Sequence, residues 1–318
     1  MRRYFARGRT GAPPGTLRGI GDDAALLRLP AGQTLAVTTD TLVAGCHFPP
    51  RAAPRDVGYK SLAVSLSDLA ATGAEPRWIF LALTLPRPDE SWLAACAEGL
   101  FALADRYAVV LAGGDLSRGP LALTVTACGL VPDDCALGRG GARPGDQIWV
   151  TGTLGDAGLG LQLEQGAAPA AAARWRETLL ARLCRPQPRV PQGLALRRIA
   201  TACIDLSDGL ARDLALLLEA SSAGAVLDPS RLPLSPALRE CLPPEAAWEL
   251  ALAAGDDYEL CFTAPPEAGP RLQGLAGAGG ADACDLTLLG TVTSGTGLCW
   301  RTADGRDFLP AGAGYRHF

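Results

Sequence analysis

Lysine is almost missing from this chain: it occurs once, at Lys60, although Lys and Arg together number 29 among 318 residues. A phosphate loop of the GxxxxGK[ST] kind, or a protein-kinase strand lysine, needs that side chain, so neither is expected to hold a nucleotide here. Histidine is nearly as scarce, at His47 and His317, and no Cys-x-x-Cys pair occurs. The ligand spacing of a zinc site is therefore absent. A net charge of −4 gives no basic footprint for nucleic acid. No segment approaches the roughly 20 apolar residues needed to span a bilayer. The charged N-terminal stretch, Met1 to Thr10, is followed by no apolar core of a signal peptide. Ten cysteines are diluted over a long chain, and Cys96, Cys128, Cys203 and Cys261 sit in apolar periodic segments. They read as buried thiols of a reducing compartment, and a cytoplasmic, soluble protein is expected.

What is present describes a globular protein: 48% hydrophobic and 19% charged residues, with length enough for two cores. The stretch from Val37 to Phe48 organises the chain. Gln33 to Val37 reads as a strand, with Thr38, Thr39 and Asp40 at its end offering hydroxyl and carboxylate oxygens. Such oxygens suit a hard cation such as Mg²⁺. Four further acidic clusters stand at Asp22-Asp23, Ser67-Asp68, Gly113-Gly114-Asp115 and Asp205-Leu206-Ser207-Asp208-Gly209. Each alone is a common turn or strand exit. Asp23, Asp40, Asp115 and Asp205 all border expected strands, however, and ligands of α/β folds collect at strand ends. Carboxylates gathered without a counter-charge repel by roughly 4 kcal/mol per pair at 4 Å and an effective dielectric of 20. Convergence therefore calls for bridging cations, and a multi-magnesium site holding polyphosphate is expected.

A helix is expected from Pro54 to near Gly73, with Asp68 in its last turn against the helix dipole. Trp78–Leu85 has the length of a strand, Asp89–Tyr107 the spacing of an amphipathic helix, and Ala108–Ala112 and Leu121–Val131 read as strands. The loop Gly138–Gly145 holds five glycines or prolines and marks the domain boundary, giving domains 1–137 and 138–318. Beyond it, strands are expected at Gln147–Thr151, before Asp205, and at Ala225–Leu227, Tyr258–Phe262 and Leu286–Val292. Helices are expected after Gly155, over Trp175–Leu183 and Pro191–Ala200, and over Leu210–Ser221. Residues 1–18 are expected at the surface. Leu66-Ser67-Asp68-Leu69 is echoed by Leu206-Ser207-Asp208-Gly209, a short hint of duplication. With no lysine clamp, Arg139 is the candidate phosphate partner, or else a solvated loop arginine.

In this order the motifs resemble the thiamine-monophosphate kinase family of the aminoimidazole-ribonucleotide synthetase-like superfamily. The likeness runs from Gly19 to Phe318 through Gly-Ile-Gly-Asp-Asp (19–23), Thr-Thr-Asp-Thr-Leu-Val-Ala-Gly-Cys-His-Phe (38–48), Ser-Leu-Ser-Asp-Leu-Ala-Ala-Thr-Gly-Ala (65–74) and Gly-Gly-Asp (113–115). It continues in Arg-Pro-Gly-Asp (143–146), Val-Thr-Gly-Thr-Leu-Gly-Asp (150–156), Ile-Asp-Leu-Ser-Asp-Gly-Leu (204–210), Gly-Asp-Asp-Tyr-Glu-Leu-Cys-Phe (255–262) and Gly-Tyr-Arg-His-Phe (314–318). The resemblance implies transfer of the γ-phosphoryl group of ATP to thiamine monophosphate, with no general base because the acceptor phosphate is already anionic. It implies magnesium ligands at Asp23, Thr38, Thr39, Asp40, Asp68, Asp115, Asp205 and Asp208, with Asp40, Asp115, Asp205 and Asp208 central to catalysis. ATP contacts are implied at Tyr107, Gly114, Asp115, Arg139 and Ser207, and thiamine-phosphate contacts at His47, Asp256 and Tyr315. Asp256 replaces the family's usual Glu and is shorter by one methylene. The implied fold is an α/β N-terminal domain whose sheet closes a barrel across a homodimer, followed by an α+β C-terminal domain. Rival readings are another ATP-dependent enzyme of the superfamily and a non-catalytic nucleotide or metal sensor. A selenophosphate-type enzyme would need a reactive cysteine near the N-terminus, and residues 1–18 have none.

Overall fold

The structure is a computed structural model that describes residues 2–5, 15–275, 283–312 and 314–315. His317 and the rest of 316–318, with most of the glycine- and proline-rich N-terminal stretch, lie outside the described residues. The chain divides into two compact units, Met1–Leu69 with Ala74–Ala136, and Ala70–Gly73 with Leu137–Phe318.

The first unit holds α1 (Arg2–Phe5), β1 (Thr16–Arg18), β2 (Leu26–Leu27), β3 (Gln33–Val43), α2 (Pro54–Ala71), β4 (Glu75–Leu85), α3 (Glu90–Arg106), β5 (Val110–Arg118) and β6 (Ala122–Pro132). Its sheet runs β3-β6-β4-β5, parallel only between β4 and β5. Alternation sorts the side chains. Leu123, Val125 and Ala127 of β6 are buried, while Thr124 and Thr126 turn to the other face. On the buried side α2 lies against the sheet, its Ser65 hydroxyl donating to the Val125 carbonyl at 3.3 Å. The N-terminal residues are not wholly superficial as expected, because Phe5 is buried and the Tyr4 hydroxyl donates to Glu90.

Two strand ends differ from the sequence reading in ways that matter for the site. β3 does not stop at Val37. Thr38 to Val43 continue in unbroken register against Ala122–Ala127 of β6, because a Thr- and Val-rich run fits a pleated sheet regardless of its polarity. β5 likewise runs through Gly113-Gly114-Asp115 instead of ending before it, and its register against β4 slips at Ile79/Phe80, the mark of a bulge. Gly114 makes this possible: at φ 144°, a Cβ there would sit 2.0 Å from the Leu81 carbonyl oxygen.

The second unit holds β7 (Gln147–Thr151), α4 (Asp156–Glu164), α5 (Arg176–Cys184), α6 (Val190–Leu196), β8 (Ala202–Asp205), α7 (Leu210–Ala220), β9 (Gly224–Leu227), α8 (Pro236–Cys241), α9 (Pro244–Ala253), β10 (Leu260–Ala264), α10 (Gly269–Leu275), β11 (Leu286–Thr293), β12 (Gly297–Arg301) and β13 (Asp307–Phe308). The sheet order is β13-β12-β9-β11-β7-β10-β8, with only β12 and β9 parallel. Leu210, Leu214, Leu217 and Leu218 of α7 join Ile148, Val150, Ile204 and Cys261 of the sheet in one buried core. The Ala- and Pro-rich stretch after residue 166 tightens into a 3₁₀ turn at Ala170–Trp175. β10 begins two residues later than expected, because Asp256 and Tyr258 take φ of 60° and 51°, outside any strand conformation. The mean apolar content is high, yet no described helix is long and apolar enough to cross a membrane.

Candidate functional site

In the first unit the extension of β3 decides which side chains meet. Thr38 and Asp40 alternate onto the face that α2 covers, and α2 brings Ser65 and Asp68 to them. The Ser65 hydroxyl donates to Asp40 Oδ2 at 2.8 Å, and the Thr38 hydroxyl donates to Asp68 Oδ2. Burial pushes the Asp40 carboxyl up to about 6, the neighbouring Asp68 charge adds to the rise, and the Ser65 hydrogen bond only partly offsets it. Two carboxylates held close enough to disfavour each other's charge, and flanked by hydroxyls, are ill-matched to one another and well matched to a divalent ion. Among the described residues no three His, Cys, Asp or Glu side chains gather into a complete cage. Magnesium fits such a sparse oxygen set, since it keeps waters and takes its remaining oxygens from substrate phosphates.

Thr39 does not join this group: its hydroxyl lies on the opposite face, 2.9 Å from that of Thr126. Asp23 is exposed in the turn after Gly21, its amide donating to Asp22. Asp115 is exposed on β5, and the Ser117 hydroxyl donating to it at 2.7 Å holds its carboxyl below the usual range. Tyr107 closes α3, with the Arg106 guanidinium 5.6 Å from its ring centroid. His47 accepts the Val43 amide at Nδ1, 3.0 Å away, which in the neutral ring leaves the proton on Nε2.

In the second unit the loop Leu206–Gly209 is the hub. Asp205 ends β8 with its side chain buried, and Ser207 and Asp208 follow it outward. The Gly-Asp-Asp-Tyr-Glu segment docks on this loop: the Asp256 amide donates to the Ser207 carbonyl at 2.9 Å, and the Tyr258 amide to that of Leu206 at 2.8 Å. The Tyr258 hydroxyl donates to Asp256 Oδ1 at 3.0 Å, and the Tyr315 amide donates to the Asp208 carbonyl at 3.0 Å. The structure thus places Asp205, Ser207, Asp208, Asp256 and Tyr315 along one short stretch of backbone. Arg139 is exposed, its carbonyl accepting the Ser221 hydroxyl beyond the end of α7.

Four residues of this site had no role in the motif reading. Asp213, in the first turn of α7, is buried and accepts the Asp208 amide at 3.0 Å. Burial raises its carboxyl to about 7 against that hydrogen bond, with the Asp208 charge adding to the rise. An acid in a first helical turn was a legible signal for such a cap. Ser65 and Tyr258 stand inside the quoted motifs at 65–74 and 255–262, but nothing local marks what their hydroxyls bind. Glu259, fully buried, is the fourth: Arg189 donates Nε to its Oε2 at 2.5 Å and Nη2 to its Oε1 at 2.6 Å, while Arg182 adds a bond of 2.8 Å and Thr151 one of 2.6 Å. Asp257 accepts the Gly155 amide, so the alternate residues of the segment brace it from beneath.

Two family models cover most of the chain: AIR synthase related protein, N-terminal domain, over residues 21–131, and AIR synthase related protein, C-terminal domain, over residues 143–298. The thiamine-monophosphate kinase of Escherichia coli (strain K12) is 48% identical over 317 residues, 99% of this chain and 96% of that protein. Among solved structures, the thiamine-monophosphate kinase from Stenotrophomonas maltophilia K279a superposes with a TM-score of 0.84 at 47% identity, over 93% of both chains. AaThiL complexed with AMPPCP and TMP gives a TM-score of 0.78 at 30% identity, over 92% of this chain and 89% of that one.

Proposed function

The chain belongs to the thiamine-monophosphate kinase family, and we propose that it transfers the γ-phosphoryl group of ATP to the phosphate of thiamine monophosphate, giving thiamine diphosphate and ADP. The observation that carries this reading is the identity to such kinases over 99% of the chain, which leaves no domain of this chain outside the likeness. A solved relative complexed with AMPPCP and TMP pairs an ATP analogue with the same kind of acceptor.

The residues divide the work by unit. In the first, Asp40 and Asp68, with Thr38 beside them, are the oxygen set for magnesium, and Asp23 and Asp115 are further ligands. Thr39 keeps a place in the proposal only through groups other than its engaged hydroxyl. Magnesium held by these oxygens would supply charge neutralisation to the phosphoryl group in transfer. In the second unit, Asp205 and Asp208 serve as magnesium ligands, directly or through water, while Ser207 and Arg139 contact ATP. Tyr107 and Gly114 contact ATP from the first unit. His47 offers Nε2–H to a phosphate oxygen, and Asp256 and Tyr315 meet the thiamine portion. The Asp256 carboxylate is aimed by Tyr258, which compensates in direction for what it lacks in reach. No side chain need take a proton, because the acceptor oxygen is already an anion.

The outer face of the first unit's sheet carries Leu35 and Val37, exposed by 38% and 56%. We read it as the surface that closes a barrel with a second copy. A cytoplasmic site of action accords with ten cysteines that are all free. The deciding experiment is a coupled ADP-release assay with thiamine monophosphate, thiamine and aminoimidazole precursors side by side, with and without Mg²⁺. Release should occur with thiamine monophosphate and require Mg²⁺. Release driven by an aminoimidazole precursor, or no release with any acceptor, would overturn the assignment.

A further inference from the structure

Arg212 follows the Asp-Leu-Ser-Asp-Gly-Leu motif and has no role in the reading above. It stands in the first turn of α7, with Nε 3.3 Å from Asp208 Oδ2. On a helix face such an i,i+4 pair would hold little besides itself. Here the guanidinium has a second acceptor: Nη1 donates to the Tyr315 carbonyl, 103 residues further along the chain. The Tyr315 amide in turn donates to the Asp208 carbonyl. Side chain and backbone therefore tie the same two residues together. Gly314 permits the approach, since at φ 85° a Cβ would lie 2.7 Å from the Asp208 carbonyl oxygen and 2.8 Å from Arg212 Cβ.

We propose that Arg212 is a positioning residue that clamps the C-terminal segment at Tyr315 onto the Asp208 loop, so that the aromatic on the acceptor side and the carboxylate on the metal side are set by one contact. The geometry needs a forked cation. Guanidinium reaches a carboxylate and a carbonyl at once, whereas an ammonium is a point donor on a flexible stem. The role in acceptor binding rests on thiamine monophosphate being the acceptor; the clamp itself does not.

The test compares the wild-type protein with Arg212→Ala and Arg212→Lys. Amide exchange followed by mass spectrometry, without ligands, should show the Tyr315 amide exchanging at least about fivefold faster in Arg212→Ala. The KM for thiamine monophosphate should rise about five- to tenfold while that for ATP changes by less than about twofold, a split that general loosening of the fold would not produce. Arg212→Lys keeps the charge and the helix but not the fork, and should show the same split at smaller size if Arg212→Ala proves unstable. Unchanged exchange at Tyr315, or faster exchange with an unchanged KM or an equal rise for both substrates, would overturn the proposal. If wild-type protein turns over ATP with another acceptor only, the functional assignment fails while the exchange result still decides the clamp.

Discussion

At the scale of single residues, the chain stores unfavourable electrostatics where it is read to work. Asp40 is mostly buried beside Asp68, and each charge raises the cost of the other. Asp40→Asn removes one of the two charges and keeps an oxygen for the Ser65 hydroxyl. The expected outcome is a melting temperature unchanged or raised by roughly 2–4 °C, for about 1 kcal/mol of relieved repulsion, with kcat/KM lowered by at least about a hundredfold. Thermal melts and steady-state kinetics on the same preparation check both halves, and near-normal turnover would remove Asp40 from the metal set. Glu259 is the opposite case. Burial alone would lift its carboxyl, but the Arg189 and Arg182 charges outweigh burial and hold it below the usual range. A carboxyl depressed in the folded state contributes stability above its unfolded pKa and loses it as pH falls through the folded value. Glu259→Gln removes the charge that the buried Arg189 and the part-buried Arg182 share, which costs about 3–5 kcal/mol at neutral pH. Denaturant midpoints of the two proteins should converge as pH drops from about 7 toward about 3, because the wild type alone loses this contribution. A gap that stays constant with pH would mean that Glu259 acts by packing alone.

At the scale of elements, α2 and α3 cross at contact distance through two glycines. A Cβ at Gly99 would lie 1.8 Å from the Arg55 carbonyl oxygen, and one at Gly58 would lie 2.0 Å from that of Cys96. By helix propensity alone Gly99→Ala should stabilise by about 1 kcal/mol. Backbone cannot move aside as a side-chain tip can, so the helices must separate and overpacking wins. The expected result is a net loss of at least about 2 kcal/mol, read as a fall in melting temperature of about 4 °C or more. A stabilised variant would show that the crossing is looser than its geometry. This contact also marks a limit of sequence reading. The amphipathic spacing of α3 was legible because it is local, and its first expected residue, Asp89, proves to be the cap. An interior glycine looks merely unfavourable until its neighbour is known. β3 was read six residues short because Thr-Thr-Asp looks like a strand exit, and only pairing with β6 keeps such polar residues in a strand. The short β12 and β13 were missed for the same reason: β12 exists by pairing in parallel with β9, about 70 residues earlier in the chain, a partner that no local pattern names.

At the scale of the molecule, the acidic motifs were legible as a set because oxygen-rich loops beside small residues have few other uses. Their grouping was not, since it depends on which face of a strand each residue takes. One register step separates Thr38, bonded to Asp68, from Thr39, bonded to Thr126 on the far side. That far side raises a question of its own. Beside the exposed Leu35 and Val37 it carries the paired hydroxyls of Thr39 with Thr126 and Thr41 with Thr124, each pair 2.9 Å apart. A sheet face with apolar side chains and self-satisfied hydroxyls costs little to dehydrate, which is what a second copy would require. A closed interface between identical faces brings each residue near its own counterpart or that counterpart's neighbours. Val37→Arg, at the most exposed of the apolar positions, therefore places two like charges in one interface without touching the buried core of either copy. Sedimentation should give the wild type twice the chain mass of 32.9 kDa, and Val37→Arg the single mass, with its far-ultraviolet spectrum unchanged. A variant that still sediments at the doubled mass would put the interface elsewhere. A wild type that sediments as a single chain would leave this face uncovered and remove the barrel from the account.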